Sequence, residues 1–179
     1  GPAALLYGEG ATGAAINYVT KEPKRQFGMD SLLSYGSVGS YRTGFGINGP
    51  LSDKVYARID GSHVDEGGYA TRTGNRLRSM AASIRWTPTE PVSWKAQGIY
   101  SDDFVNAYYG TPLVNGVIDP RTRFINYNMR DNLNKAHNNY AKIDADILLQ
   151  GGWRFRNEAF AATQRVDWRN FESVQYSAA

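Results

Sequence analysis

No cysteine occurs among the 179 residues, which removes a disulfide framework, a thiolate metal site and a cysteine nucleophile at once. Nor does any stretch approach the roughly 18 consecutive apolar residues that a membrane-spanning helix needs. Helical insertion is therefore excluded, whereas a barrel of strands is not. The two histidines, His63 and His137, are isolated in the sequence and lack the His/Asp/Glu spacing of a metal site, so neither a protein-bound metal nor a cofactor is expected. Charge of one sign is not concentrated either: 20 Lys and Arg against 17 Asp and Glu, net +3, are spread along the chain. A nucleic-acid partner would need a clustered basic face. An initiator Met and a charged-then-apolar leader are also missing from the start, GPAALL, and the end, SVQYSAA, falls inside another strand-like pattern. These features suggest a fragment cut at both ends.

The dominant pattern is a period of two. In KVYARIDGSHVD, Val55, Ala57, Ile59 and Gly61 fall on one face and Tyr56, Arg58, Asp60 and Ser62 on the other, the signature of a two-faced strand. The alternation recurs in RSMAASIRW (78 to 86) and VSWKAQGIYS (92 to 101), and most cleanly in YAKIDADILL (140 to 149). It is looser in FGMDSLLSYG (27 to 36), YRTGFGING (41 to 49) and WRFRNEAFAATQRV (153 to 166). That makes seven candidate strands, with those in the middle of the chain about ten residues long.

Between them, GPLSD, TPTEP and QGG are tight turns that suit antiparallel neighbours. The intervening links are longer, DEGGYATRTGN at 65 to 75 and a stretch from Asp103 to about Asn138; only GSVGS is short. Short turns at one rim and mostly long loops at the other are the anatomy of an outer-membrane barrel. Trp86, Trp94 and Trp153 all fall at the short-turn rim on the apolar face, where an aromatic girdle would sit. Lumen-facing Arg58, Asp60, Arg85, Lys95, Lys142, Asp144 and Asp146 are expected to form structural ion pairs.

GEGATG, residues 8 to 13, has the Gly-x-Gly-x-x-Gly spacing of a dinucleotide loop, with Asp30 at a plausible distance for a ribose hydroxyl. A helix must follow the third glycine. Only AAINYVTKE precedes Pro23, and its Ile16, Val19 and Thr20 favour strand. A plain turn explains the glycines better, and a nucleotide-binding enzyme is the weakest alternative.

GPAALLYGEGATGAAINYVTKEP resembles the end of the plug domain of TonB-dependent outer-membrane receptors, through Gly1, Pro2, Leu6, Tyr7, Gly8, Gly13, Ile16, Asn17, Val19, Thr20, Lys21 and Pro23. Ala14 replaces a usual glycine, and Thr12 stands where many members have proline. INGPLSDKVYARIDGSHVDEGGY, SIRWTPTEPVSWKAQGIYSDD, YYGTPLVNGVIDPRTRFINYNMRD and WRFRNEAFAATQRVDWRNFES resemble, in order, successive strands and the long third extracellular loop of the siderophore-receptor branch.

The resemblance implies an all-β fold: about seven strands of an antiparallel transmembrane barrel of about 22, residues 25–179, preceded by the C-terminal end of a plug, residues 1–24. Tyr7, Gly8, Gly10 and Gly13 would form a plug turn. The implied function is energy-dependent uptake of a ferric siderophore across the outer membrane of a Gram-negative bacterium, without enzyme activity. The implied partners are the chelate, the TonB energy-coupling complex acting through an N-terminal segment absent from this sequence, and outer-membrane lipid. Receptors for haem, cobalamin or a carbohydrate remain alternatives, while a plugless porin is opposed by residues 1 to 23.

Ligand contacts would come from the long loop, at Tyr108, Tyr109, Arg121, Arg123, Phe124 and Tyr127, with Phe104 and Arg130 nearby. Aromatic faces pack on a chelate's organic shell, and arginines suit a net-negative complex. Some hydroxamate-siderophore receptors have Tyr-Tyr-Gly-Trp here, whereas this chain has Tyr108, Tyr109, Gly110, Thr111, a departure that leaves the substrate class open.

Overall fold

Alternating residues joined by two- and three-residue turns can satisfy their backbone groups only by pairing with their sequence neighbours. The computed structural model, which describes residues 20–108, 110–113 and 116–170, has that meander. Seven strands, β1 (Gly28–Tyr35), β2 (Tyr41–Ser52), β3 (Val55–Gly67), β4 (Gly74–Thr89), β5 (Val92–Asn106), β6 (Leu133–Leu148) and β7 (Arg154–Arg169), form one antiparallel sheet in the order β1 to β7. The GEGATG segment with Tyr7, Gly8, Gly10 and Gly13 lies outside the described residues, as does Tyr109.

The strands run further than their alternation suggests. β2 continues through Gly49–Ser52, leaving Asp53 and Lys54 as the turn, with a register shift between Pro50 and Ser52. β4 continues to Thr89, with a shift between Trp86 and Thr89. At the opposite end β5 reaches Asn106 and β6 begins at Leu133, so the long link is 107–132. Strands of 16 residues, such as β4 and β6, span about 50 Å. The hydrocarbon layer is only about 30 Å thick. At the usual barrel tilt such strands rise about 35–40 Å along the membrane normal, still more than that layer, and at the long-loop end outward residues turn polar and the alternation fades.

Register separates two faces. Tyr56 pairs with Arg85, Arg58 with Ser83 and Lys95 with Asp144 on one face; Val55 pairs with Trp86, Ile84 with Ala96 and Ile143 with Ala159 on the other. The polar face carries the burial: Arg58 is 7% exposed and Tyr56 4%. Residues 20–25 lie across it. Thr20 Oγ1 donates to Gln97 Oε1 at 3.1 Å, Glu22 meets both Lys95 (2.7 Å) and Arg85, and the Arg25 guanidinium bonds the Tyr56 hydroxyl at 2.9 Å.

Beneath this segment the Arg58 guanidinium binds Asp60 Oδ1 at 2.5 Å and Asp30 Oδ1 at 2.7 Å, and Lys21 completes the cluster 2.6 Å from Asp30. Gly46 makes room for it, since a Cβ there would come within 2.5 Å of Arg58 Nη2 and 2.6 Å of Asp60 Oδ1. The lumen-face charges expected to pair do so: Lys142 with Glu158 and Asp144, and Asp146 with Arg154 and Arg156.

The apolar face is uncovered. Phe45, Ile59, Met80, Ile84, Trp86 and Ile143 are all exposed, and among the described residues the buried hydrophobics are Tyr56, Ala70 and Ala145. A domain in water would bury this surface, at about 25 cal/mol per Å²; a barrel wall in lipid presents it outward. Trp86 and Trp94 face each other across the β4–β5 pair, and Trp153 follows the Gln150–Gly152 turn, so all three mark the short-turn rim. Among the described residues no helix is long and apolar enough to cross a membrane.

Candidate ligand-binding site

The 107–132 loop is held by side chains, since a connection that long has few ladder bonds to rely on. Asn126, only 1% exposed, donates from Nδ2 to the carbonyls of Arg72 (3.0 Å) and Ala107 (3.2 Å) and accepts from the Asn128 amide at 2.9 Å. Asn128 Nδ2 donates to the Ala107 carbonyl at 3.0 Å, and its Oδ1 accepts from the Met129 amide at 2.8 Å.

The neighbouring β3–β4 loop, 68–73, closes the other side. The Arg72 guanidinium donates to the carbonyls of Asn126, Asn128 (3.1 Å) and Met129 (3.2 Å), while the Thr71 amide donates to the Phe124 carbonyl at 2.8 Å. Arg72 has φ 54°, the left-handed region a non-glycine residue seldom occupies, and a backbone held there is a device for aiming a side chain. Arg72, Asn126 and Asn128 were not singled out by sequence reading. The available signal was Asn126 and Asn128 at alternate positions of INYNM, outside any strand, where amide side chains cap backbone groups.

The predicted contact residues take up distinct positions on this frame. The Tyr108 hydroxyl bonds Thr111 Oγ1 at 3.0 Å, and Thr111 Oγ1 reaches the Arg123 carbonyl at 3.3 Å. The threonine that stands in place of tryptophan thus ties Tyr108 to the 123–124 segment. Tyr108 also packs edge-on against Tyr69, centroids 5.4 Å apart at 86°. Tyr69, 61% exposed, is an aromatic from the adjacent loop that the sequence pattern did not bring forward. The neighbouring Tyr108 side chain, with burial second, pushes the Tyr69 hydroxyl above the usual phenol range.

The Arg123 guanidinium lies over the Phe124 ring, 5.4 Å from its centroid, and both side chains are exposed. Tyr127 is half-buried and Arg130 exposed. Arg121, its side chain exposed, also has a partner within the loop: its guanidinium binds Asp119 Oδ2 at 2.6 Å, and its amide donates to Asp119 Oδ1 at 2.9 Å, capping the short turn Pro120–Thr122. That bonding holds the Asp119 carboxyl below, and the Arg121 guanidinium above, their usual ranges. Phe104 is not in the loop; it lies in β5 opposite Arg76, whose guanidinium is 5.6 Å from the ring centroid on the outward face. The candidate site therefore consists of the exposed aromatics Tyr69 and Phe124, the half-buried Tyr108 and the Arg123 cation on a side-chain-bonded frame. Among the described residues no group of three or more His, Cys, Asp or Glu is placed to hold a metal.

No protein-family model matches the chain. It is 25% identical, over 98% of its length, to the ferric enterobactin receptor of Pseudomonas aeruginosa and 21% identical, over 99%, to the ferrichrome outer membrane transporter/phage receptor of Escherichia coli. The metal-pseudopaline receptor of Pseudomonas aeruginosa is 32% identical over 48% of the chain. The chain spans 24% of the length of the first two relatives and 12% of the third. Among solved structures, the ferripyoverdine receptor of the Pseudomonas aeruginosa outer membrane bound to ferripyoverdine superposes with a TM-score of 0.75 at 18% identity, covering 86% of this chain and 21% of that one. The complex of FpvAI with pyocin S2 gives 0.78 at 17% identity, covering 89% and 22%. With a meander of two-faced strands, a charged lumen face, an uncovered apolar face and these relatives over nearly its full length, the chain is similar to outer-membrane receptors and transporters of ferric chelates and shares the fold of a ferripyoverdine receptor.

Proposed function

We propose that the protein containing this chain takes up a ferric siderophore across the outer membrane, binding the chelate at its extracellular loops. The observation that carries this reading is the preformed loop site, in which Tyr69, Tyr108 and Phe124 present aromatic surface beside the Arg123 cation. Such a surface suits a large organic chelate of net negative charge. The chelator holds the metal, so the protein needs no ligand set of its own. Relatives over almost the whole chain are named as receptors and transporters of ferric chelates.

Residues 1–24 would be the end of a plug and residues 25–179 barrel wall. The ion pairs of Lys21 and Glu22 with the lumen face are the kind of contact that seats a plug. TonB would engage a segment N-terminal to it, and lipid would cover the apolar face. A second reading, a receptor for a chelate of another metal, is favoured by the 32% match to a metal-pseudopaline receptor.

Growth of a receptor-deleted strain complemented by the complete gene, on a panel of ferric and non-ferric chelates, separates these readings. Growth dependent on one or more ferric siderophores is expected. Dependence only on a chelate of another metal would favour the second reading, and no dependence on any chelate would overturn both.

A further inference from the structure

Residues 20–26 belong to no strand, so no backbone ladder holds them, yet they cross the lumen face in contact with β1 to β5. Thr20 bonds Gln97 on β5, Glu22 bridges Lys95 on β5 and Arg85 on β4, and Arg25 bonds Tyr56 on β3. Lys21 reaches Asp60 on β3 at 3.7 Å and Asp30 on β1 at 2.6 Å. Asn48 on β2 serves the backbone of the segment: its Oδ1 accepts from the Lys24 amide at 2.5 Å, and its Nδ2 donates to the Gln26 carbonyl at 2.7 Å. The remaining residue, Pro23, is buried; it has no N–H to satisfy there and favours extended backbone at Glu22. Seven extended residues reach about 23 Å, enough to cross five strands spaced about 4.8 Å apart.

The lumen face is most tightly packed under this strap. Among the described residues the sheet's buried polar side chains are Asn48, Arg58 and Gln97, and its buried tyrosine is Tyr56. Asn48, Gln97 and Tyr56 bond the strap directly, and Arg58 is joined to it through Asp30, which Lys21 also holds. Buried polar groups require partners. Lifting 20–26 would take from Asn48 both of the backbone groups it bonds, and would leave Lys95, its side chain 13% exposed, with Asp144 at 3.4 Å in place of two carboxylates. Sliding is no easier, because a shift that set Lys21 where Glu22 now lies would place a third cation against Arg85 and Lys95. The strap therefore has one register, fixed by charge as well as by shape.

We propose that residues 20–26 are a fixed anchor that stays on the lumen wall throughout the transport cycle, so that displacement of the plug stops at Thr20. The proposal rests on the reading of the whole receptor as an energy-dependent transporter with residues 1–24 at the end of its plug. In the complete receptor with any other cysteine replaced, Thr20→Cys with Gln97→Cys, and separately Glu22→Cys with Lys95→Cys, can be oxidised to a disulfide, confirmed by peptide mass spectrometry, with chelate binding to cells as the check on folding. Iron uptake from the chelate that supports growth is expected to run within about twofold of the reduced form, since a bond across contacts that never open takes nothing from the cycle. A larger loss in either pair, with chelate binding retained, would overturn the proposal. Thr20→Cys alone, which gives up one hydrogen bond, should react with a small maleimide no faster in transporting cells than in cells treated with a protonophore; faster reaction during transport would equally overturn it. No uptake by the unmodified receptor would instead overturn the transport reading, and the anchor with it.

Discussion

The two ends of the sheet are built by different means. At the short-turn end, Asp53–Lys54, Glu90–Pro91 and the Gln150–Gly152 turn reverse the chain with almost no side-chain help, and paired strands with a row of tryptophans hold it together. At the long-loop end the 26 residues of 107–132 are held to 68–73 by the Arg72 and Asn126 side chains bonding backbone carbonyls across the two loops, while Asn128 ties the loop back to Ala107. Ladder pairing makes a wall that depends little on any one residue. A loop hung on a few side chains is correspondingly sensitive to single substitutions.

The largest expected effect is therefore at Arg72. Arg72→Ala removes donors to three carbonyls and should cost the loop about 3 kcal/mol of local stability, seen as faster amide exchange confined to 107–132, with protection of β3 to β6 retained. Uniform loss of protection would mean that the two ends are one cooperative unit. Gly46→Ala tests the wall: its Cβ would crowd the Arg58–Asp60–Asp30 cluster and should cost about 1–3 kcal/mol, lowering the thermal transition without changing exchange in the loop.

Smaller still is Tyr69→Ala, which removes the edge-on partner of Tyr108 and should weaken chelate affinity roughly tenfold if Tyr69 also touches ligand, and by only a few-fold if it merely orients Tyr108. The least effect is expected from Asp119. Its carboxyl is held below the ordinary range by Arg121, so the turn cap is fully present above about pH 4 and is lost as pH falls through the lowered value. Exchange of the Arg121 amide should accelerate only in that acid window, and Asp119→Ala should abolish the pH dependence.

The same contrast sets what could be read from the sequence. The wall was legible because period two, tight turns and rim tryptophans are local signals. Val55 to Gly61 and Ala141 to Leu149 alternate without ambiguity, and the pairing of Lys142, Asp144 and Asp146 followed from sharing one polar face. Strand ends were not legible: outside the hydrocarbon layer outward positions such as His63, Arg78 and His137 need not be apolar, so the alternation fades where pairing continues. In the loop, the positions that side chains take up were not legible. Arg121 pairs with Asp119 while its side chain stays exposed, Phe104 lies on the outward wall, and Tyr69 comes from a different loop. Nothing in local spacing could announce that Arg72 reaches residues more than fifty positions away.

The central claim is that the sheet crosses the outer membrane with 107–132 outside and the two- and three-residue turns inside. In the complete receptor with any cysteine outside these 179 residues replaced, single substitutions Phe124→Cys and Asp53→Cys, the only ones within a stretch that has no cysteine of its own, can be labelled on whole cells with a maleimide too large to cross the outer membrane. The structure predicts rapid labelling at 124, slowed by the ferric chelate that supports growth, and labelling at 53 only after the membrane is permeabilised. Equal labelling of both positions on intact cells, or labelling of 53 alone, would contradict it.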